Sequence, residues 1–122
     1  MKALVIGYGS IGKRHISNLS KFHDIEISVV TSRNHDNFLL KNNCKIFKTI
    51  DDSLKENYDF CIISNASSLH VDSALLLVKH GVHLFIEKPL SNSLAGINLL
   101  LTKLKKQKLI TQIGCNLRFH PC

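Results

Sequence analysis

The sequence has little of what marks a specialised chain. Its four cysteines, Cys44, Cys61, Cys115 and Cys122, form no C-x-x-C pair and stand at no zinc spacing with its histidines. A metal framework is therefore not expected, and the cysteines read as reduced thiols of a cytoplasmic protein. No apolar stretch approaches the roughly 20 residues of a membrane span. Met1 to Ile6 runs into a glycine turn without a small-residue cleavage site, so a secretory leader is not expected. There is no internal repeat, low-complexity segment or Pro/Gly/Ser linker, which leaves one domain over residues 1–122. The formal charge is +7. Yet the densest basic cluster, Lys103, Lys105, Lys106 and Lys108, carries no interleaved aromatics and closes a helical stretch, as suits the helix dipole and a solvated face. Neither a nucleic-acid nor a membrane partner is expected; a basic balance suits an anionic cofactor.

What is present begins with the first dozen residues, MKALVIGYGSIG. Ala3 to Ile6 is an apolar run of strand length. Gly7, Gly9 and Gly12 follow at G-x-G-x-x-G spacing, and a helical pattern starts at once. Gly7 lets the chain turn out of the strand, Gly9 lets backbone N–H groups approach a pyrophosphate, and Gly12 lets helix and strand pack closely. The anion would rest on the helix N-terminus, where unpaired N–H groups and the dipole both favour negative charge.

Hydrophobic residues make up 44% of the chain, enough for one buried core. A helix is expected over about 10–22, with Ile11, Ile16 and Leu19 inward, then a strand over 25–31, a weaker helix over 36–41 and a short strand over 45–48. Asp51-Asp52-Ser53 reads as the turn into a brief helix. Phe60 to Ser64 is a continuous apolar run, as in a central parallel strand. A helix follows with Val71, Ala74, Leu75 and Val78 at i, i+3, i+4 and i+7, closed by Gly81. Strands over 82–86 and 109–114 flank a helix that presents Ile97, Leu100, Leu101 and Leu104. This alternation predicts an α/β fold: a doubly wound, mostly parallel sheet of about six strands with helices on both faces.

In such a sheet ligands bind beyond the carboxyl ends of the strands. The unusual residues cluster there: Gly7 to Gly12, Thr31-Ser32-Arg33, Ser64-Asn65-Ala66-Ser67, Glu87-Lys88-Pro89 and Cys115-Asn116-Leu117-Arg118. An NAD site usually carries a carboxylate at the end of the second strand; this one has Thr31, Ser32 and Arg33, and no carboxylate before Asp36. A guanidinium beside hydroxyls suits a 2′-phosphate, which favours NADP over NAD. Lys88, on a rigid strand end beside a proline that can adopt the cis form, is placed to hydrogen-bond a substrate hydroxyl and help move its proton.

Taken together, GYGSIGKRH, SNASSLHVDSALLLVKHGVHLFIEKPLS and GCNLRFHP resemble the Gfo/Idh/MocA family, named for glucose–fructose oxidoreductase and inositol dehydrogenase, over essentially the whole chain. The resemblance implies an N-terminal Rossmann domain of an oxidoreductase. Such an enzyme transfers hydride between NAD or NADP and a sugar, inositol or sugar nucleotide. It implies that Gly7, Tyr8, Gly9, Ser10, Ile11 and Gly12 line the pyrophosphate turn, and that Ser32 and Arg33 meet the adenosine ribose. Ser64, Asn65 and Ala66 would form the loop beneath the adenosine and His70 the start of the next helix on the cofactor side. Glu87 and Lys88 would belong to the motif whose lysine is implicated in substrate or nicotinamide contact and catalysis. Asn116 and Arg118 would lead to the substrate side. His15, His70 and His120 are expected to pack or cap. The family's Asp/His acid–base pair belongs to a C-terminal α/β domain that would lie beyond position 122, so this chain by itself is expected to be inactive, and a homo-oligomer is possible. The alternatives are a non-catalytic NAD(P) sensor or regulatory module, and a potassium-channel-type nucleotide domain, which would want an acidic residue at 32 or 33.

Overall fold

The computed structural model describes residues 1–33 and 36–115. The order is β1 (Lys2–Ile6), α1 (Ser10–Leu19), β2 (Glu26–Val30), α2 (Asn37–Lys41), β3 (Lys45–Phe47), α3 (Ile50–Ser53) and β4 (Phe60–Ile63). A 3-10 turn (Ser67–Leu69) then leads into α4 (His70–Lys79), β5 (His83–Glu87), α5 (Ile97–Gln107) and β6 (Thr111–Gly114). The six strands form one sheet, all parallel, in the order β3-β2-β1-β4-β5-β6. The chain steps outward from β1 to β3, crosses back, and steps outward again from β4. The switch point therefore falls between β1 and β4, where Ile6 pairs with Ile63.

Strand alternation divides the core in two. Val5, Val29 and Ile62 point to one face and pack with Ile16 of α1 and Leu39 of α2. Leu4, Ile6, Ile63 and Ile86 point to the other, against Ala74, Leu77 and Val78 of α4 and Leu100 and Leu104 of α5. Each fully buried aliphatic side chain contributes about 1.5–3 kcal/mol of transfer free energy. Central strands covered on both faces need continuous apolar runs, hence LVI in β1 and CII in β4.

Four expectations are corrected. Ile11 is 43% exposed rather than inward, because the first turn of α1 overhangs the carboxyl rim of the sheet. Leu101 is likewise exposed, and Leu75 is only partly buried while Leu77 is fully buried. The helix of residues 10–22 stops at Leu19, where the chain turns toward β2.

Candidate dinucleotide site at the carboxyl rim of the sheet

The first link is the turn between β1 and α1. Gly7 has φ of +100°, and a Cβ on it would lie 2.6 Å from the Asn65 amide nitrogen. Only glycine fits there without strain. A Cβ on Gly12 would lie 2.1 Å from the Gly7 carbonyl oxygen, so α1 is seated directly on the turn. Gly9 differs: nothing stands within 4 Å of where its Cβ would be. Gly9 is also the N-cap of α1 and lends no side chain to the helix, whose first turn holds no acidic residue. The amides of Ser10 and Ile11 thus begin a ten-residue helix with an open approach. A diphosphate fits this cradle.

The second wall is the end of β4. The Ser64 hydroxyl reaches the Ile6 carbonyl oxygen at 3.1 Å and that of Gly7 at 3.3 Å, tying this loop to the glycine turn. Asn65 donates from Nδ2 to Ser73 Oγ at 3.0 Å, and its buried Oδ1 has no partner among the described residues. Ala66 is exposed at the start of the 3-10 turn. His70 is 2% exposed and reaches the Asn65 carbonyl with Nε2 at 3.1 Å and the Pro89 carbonyl with Nδ1 at 2.9 Å. Its ring is therefore buried between two backbone oxygens.

The third wall is the end of β5. Glu87 Oε1 lies 2.7 Å from His15 Nε2, and the His15 ring meets Phe85 edge-on at 5.4 Å. The Glu87 carboxylate is thus held over β6, in room that exists because Gly114 has no Cβ. Lys88 is exposed and makes no hydrogen bond or ion pair among the described residues; the Lys88–Pro89 peptide is cis. Two concavities meet at Ile11, Glu87 and Lys88. One, of about 290 Å³, also takes in Ser64, Asn65 and His70. The other, of about 460 Å³, runs along α1 past Arg14, His15 and Gln112. A wider hollow of about 860 Å³ lies at the amino rim. Its Lys2 and Lys45 are already paired with Glu26 and Glu56, and the glycine turn opens at the opposite rim.

The end of β2 is the fourth wall. Ser32 and Arg33 are exposed. Their carbonyls accept from Lys48 Nζ at 3.2 and 2.9 Å, and the Arg33 amide donates to Thr31 Oγ1 at 3.1 Å. The Tyr8 side chain departs from the expected turn-lining place. It is 5% exposed, tilts against Phe38, lies under Lys13 Nζ at 4.7 Å, and donates its hydroxyl to both Asp36 oxygens at 2.8 and 2.9 Å. Burial, and then Asp36, push the phenol well above its ordinary value. Asp36 also caps α2 by accepting from the Leu39 amide, and that bond, followed by the one from Tyr8, holds its carboxyl below the usual range. The sequence signal that finds Asp36 is its place one residue before a helix. Asn116, Arg118 and His120 lie outside the described residues. Among the described residues no His/Cys/Asp/Glu cluster could hold a metal, and no helix is long and apolar enough to cross a membrane.

The chain is similar to known dehydrogenases over nearly its whole length. The chain is 28% identical to the myo-inositol 2-dehydrogenase of Thermotoga maritima, covering 98% of this chain and 37% of that protein. It is 25% identical to the 4-carboxy-2-hydroxymuconate-6-semialdehyde dehydrogenase of a Sphingobium strain, covering 99% and 40%. Among solved structures, the UDP-N-acetylglucosamine 3-dehydrogenase of Acidithiobacillus ferrooxidans superposes with a TM-score of 0.85 at 25% identity, over 99% of this chain and 39% of that one. The chain spans less than half the length of these relatives. The family described as "Oxidoreductase family, NAD-binding Rossmann fold" matches residues 1–115, and this chain belongs to it: the Gfo/Idh/MocA oxidoreductases.

Proposed function

We propose that this chain is the cofactor-holding part of an oxidoreductase that moves hydride between a nicotinamide and a hydroxyl or carbonyl carbon of a sugar, inositol or sugar nucleotide, with NADP preferred over NAD. The observation that carries the reading is the open cradle at Gly9, lying on the same rim as the exposed Lys88. In it the helix amides of Ser10 and Ile11 hold the diphosphate, with Gly7 and Gly12 shaping the turn. Ser64, Asn65 and Ala66 line the ribose side, and the unpartnered Asn65 Oδ1 accepts from a hydroxyl there. Lys88 donates to the substrate oxygen and passes or receives its proton as the C–H bond is broken or made. When bound, the nicotinamide supplies the hydride acceptor or donor. Among the described residues, the free thiols Cys44, Cys61 and Cys115 suit a cytoplasmic setting.

The cofactor preference rests on charge. Asp36, the nearest carboxylate after β2, is occupied by Tyr8, Leu39 and Lys13, the last at 3.7 Å. The exposed Arg33, its guanidinium 5.9 Å from the centre of the Tyr8 ring, would meet a 2′-phosphate. One charge-assisted hydrogen bond contributes about 1.5–3 kcal/mol, so NADPH should bind at least about tenfold more tightly than NADH. Fluorescence titration of the chain checks this. Arg33→Ala should abolish the difference, and Gly9→Val should abolish binding of both while leaving the circular dichroism unchanged. A wild-type chain that quenches neither nucleotide at millimolar concentration would overturn the proposal; equal affinities would overturn only the NADP preference.

A further inference from the structure

Lys88 stands on the rim with no side-chain anchor among the described residues, so its position depends on the backbone either side of it. Both flanking residues are held by histidines, and the two come from opposite faces of the sheet. His15, on the third residue after Gly12 in α1, holds Glu87 through Nε2 at 2.7 Å. It is itself fixed by the Phe85 ring and is only partly exposed. His70, the first residue of α4 and 2% exposed, reaches the Pro89 carbonyl through Nδ1 and the Asn65 carbonyl through Nε2. Carbonyl oxygens only accept, so a neutral ring donates to one of them and an imidazolium to both.

We infer that His15 and His70 form a bracket that positions Lys88 and ties it to the two segments that would hold the dinucleotide. His15 links it to the helix that starts on the diphosphate cradle, and His70 to the Ser64–Ser67 loop. Neither histidine need touch substrate; both are positioning residues. Glu87 is diverted by the same arrangement. Committed to His15 over Gly114, its carboxylate does not neutralise the adjacent ammonium. Loss of His15 frees a mobile anion beside Lys88, and loss of the His70–Pro89 contact frees the chain on the other side. The inference rests on the proposed role of Lys88, but the bracket is measurable without any nucleotide.

The test is backbone ¹⁵N relaxation of the 122-residue chain. In the wild type the Lys88 and Leu90 amides should have order parameters near about 0.85, as rigid backbone does; in His15→Leu and in His70→Gln they should fall below about 0.6. The amides of Gly7 to Gly12 should not change. His15→Gln keeps a donor near the Nε2 position, and His70→Asn keeps one near Nδ1, facing Pro89; both should restore rigidity at Lys88. A merely structural role would not distinguish Asn from Gln at position 70. Where His70→Gln does not fold, His15→Leu, at a partly exposed position, decides the matter. A folded His15→Leu chain whose Lys88 amide stays as rigid as in the wild type overturns the bracket. NADPH titration of the same samples separates the two proposals. Wild-type binding together with unchanged Lys88 order sinks only the bracket, whereas absent binding sinks the cofactor reading and leaves the relaxation data to judge the bracket.

Discussion

The Cys44 thiol lies on the α2 side of the sheet in the cluster with Leu39 and Val29, and burial pushes its pKa up to about 11. At any neutral pH it then holds about a hundredfold less thiolate than an ordinary thiol. Cys61, fully buried in β4 between neighbouring strands, is likewise raised well above the ordinary thiol value by burial, whereas Cys115 is exposed at the end of β6. Site-resolved alkylation followed by mass spectrometry should therefore modify Cys115 within minutes at pH 7.5, and Cys44 and Cys61 only on the timescale of unfolding. Rapid native labelling of Cys61 would contradict the burial described. Exposure of this kind is hard to read from sequence, and the same holds for the direction of a side chain within the site. The glycine spacing makes the cradle legible because it constrains backbone, which every Rossmann turn must solve in one way. Tyr8 was legible as a turn residue, but its side-chain direction depends on where Asp36 caps α2, a contact made 28 residues away. Glu87 was legible as a rim residue, while its commitment to His15 spans 72 positions.

At the scale of elements, α5 ends on Lys108, which occupies the left-handed region at φ 54°, ψ 37°. A non-glycine residue there costs about 1–2 kcal/mol, against roughly 0.5–1 kcal/mol of extra chain entropy that glycine loses on folding. Lys108 is exposed and its side chain makes no bond among the described residues. Lys108→Gly should therefore raise the urea midpoint by the equivalent of about 0.5–1 kcal/mol, and Lys108→Val should lower it by more than that. Equal stability of all three chains would show that the turn relaxes away from this conformation. Helix existence was readable from apolar spacing, since α4 and α5 lie where the periodicity places them. The buried set within each helix was less so. Successive positions rotate by about 100°, and both Leu100 and Leu101 fit an apolar stripe. Packing of α5 against α4 as well as the sheet selects Leu100 and Leu104 and leaves Leu101 outside. Strand order was not written in any one segment. It follows from the handedness of the crossovers, which sequence alternation implies only for the fold as a whole.

For the whole molecule, the sheet's outer strands differ in how far they invite pairing. β3 is three residues long, and Lys45 at its start is paired with Glu56. β6 has no strand on its far side among the described residues, and it is preceded by Ile110, 71% exposed. An unpaired edge beside a large apolar side chain is a template for pairing with a second chain. Opposing it is a net charge of +7 on each copy, a repulsion that acts over about 10 Å at 0.1 M salt and over about 3 Å at 1 M. Edge pairing rests on backbone hydrogen bonds and apolar contact, which salt does not weaken in this way. Self-association should therefore grow as ionic strength rises, the reverse of what an association built on salt bridges would do. Sedimentation velocity of the chain at about 0.02 M and about 1 M sodium chloride checks this: the weight-average coefficient should increase with protein concentration in the high-salt series and stay near the monomer value in the low-salt one. Ile110→Lys, which places a charge on that edge, should keep the protein monomeric in both. A monomer at every salt and concentration would mean that the edge is closed by something the sheet order alone does not show, and an oligomer unaffected by Ile110→Lys would move the contact to another face.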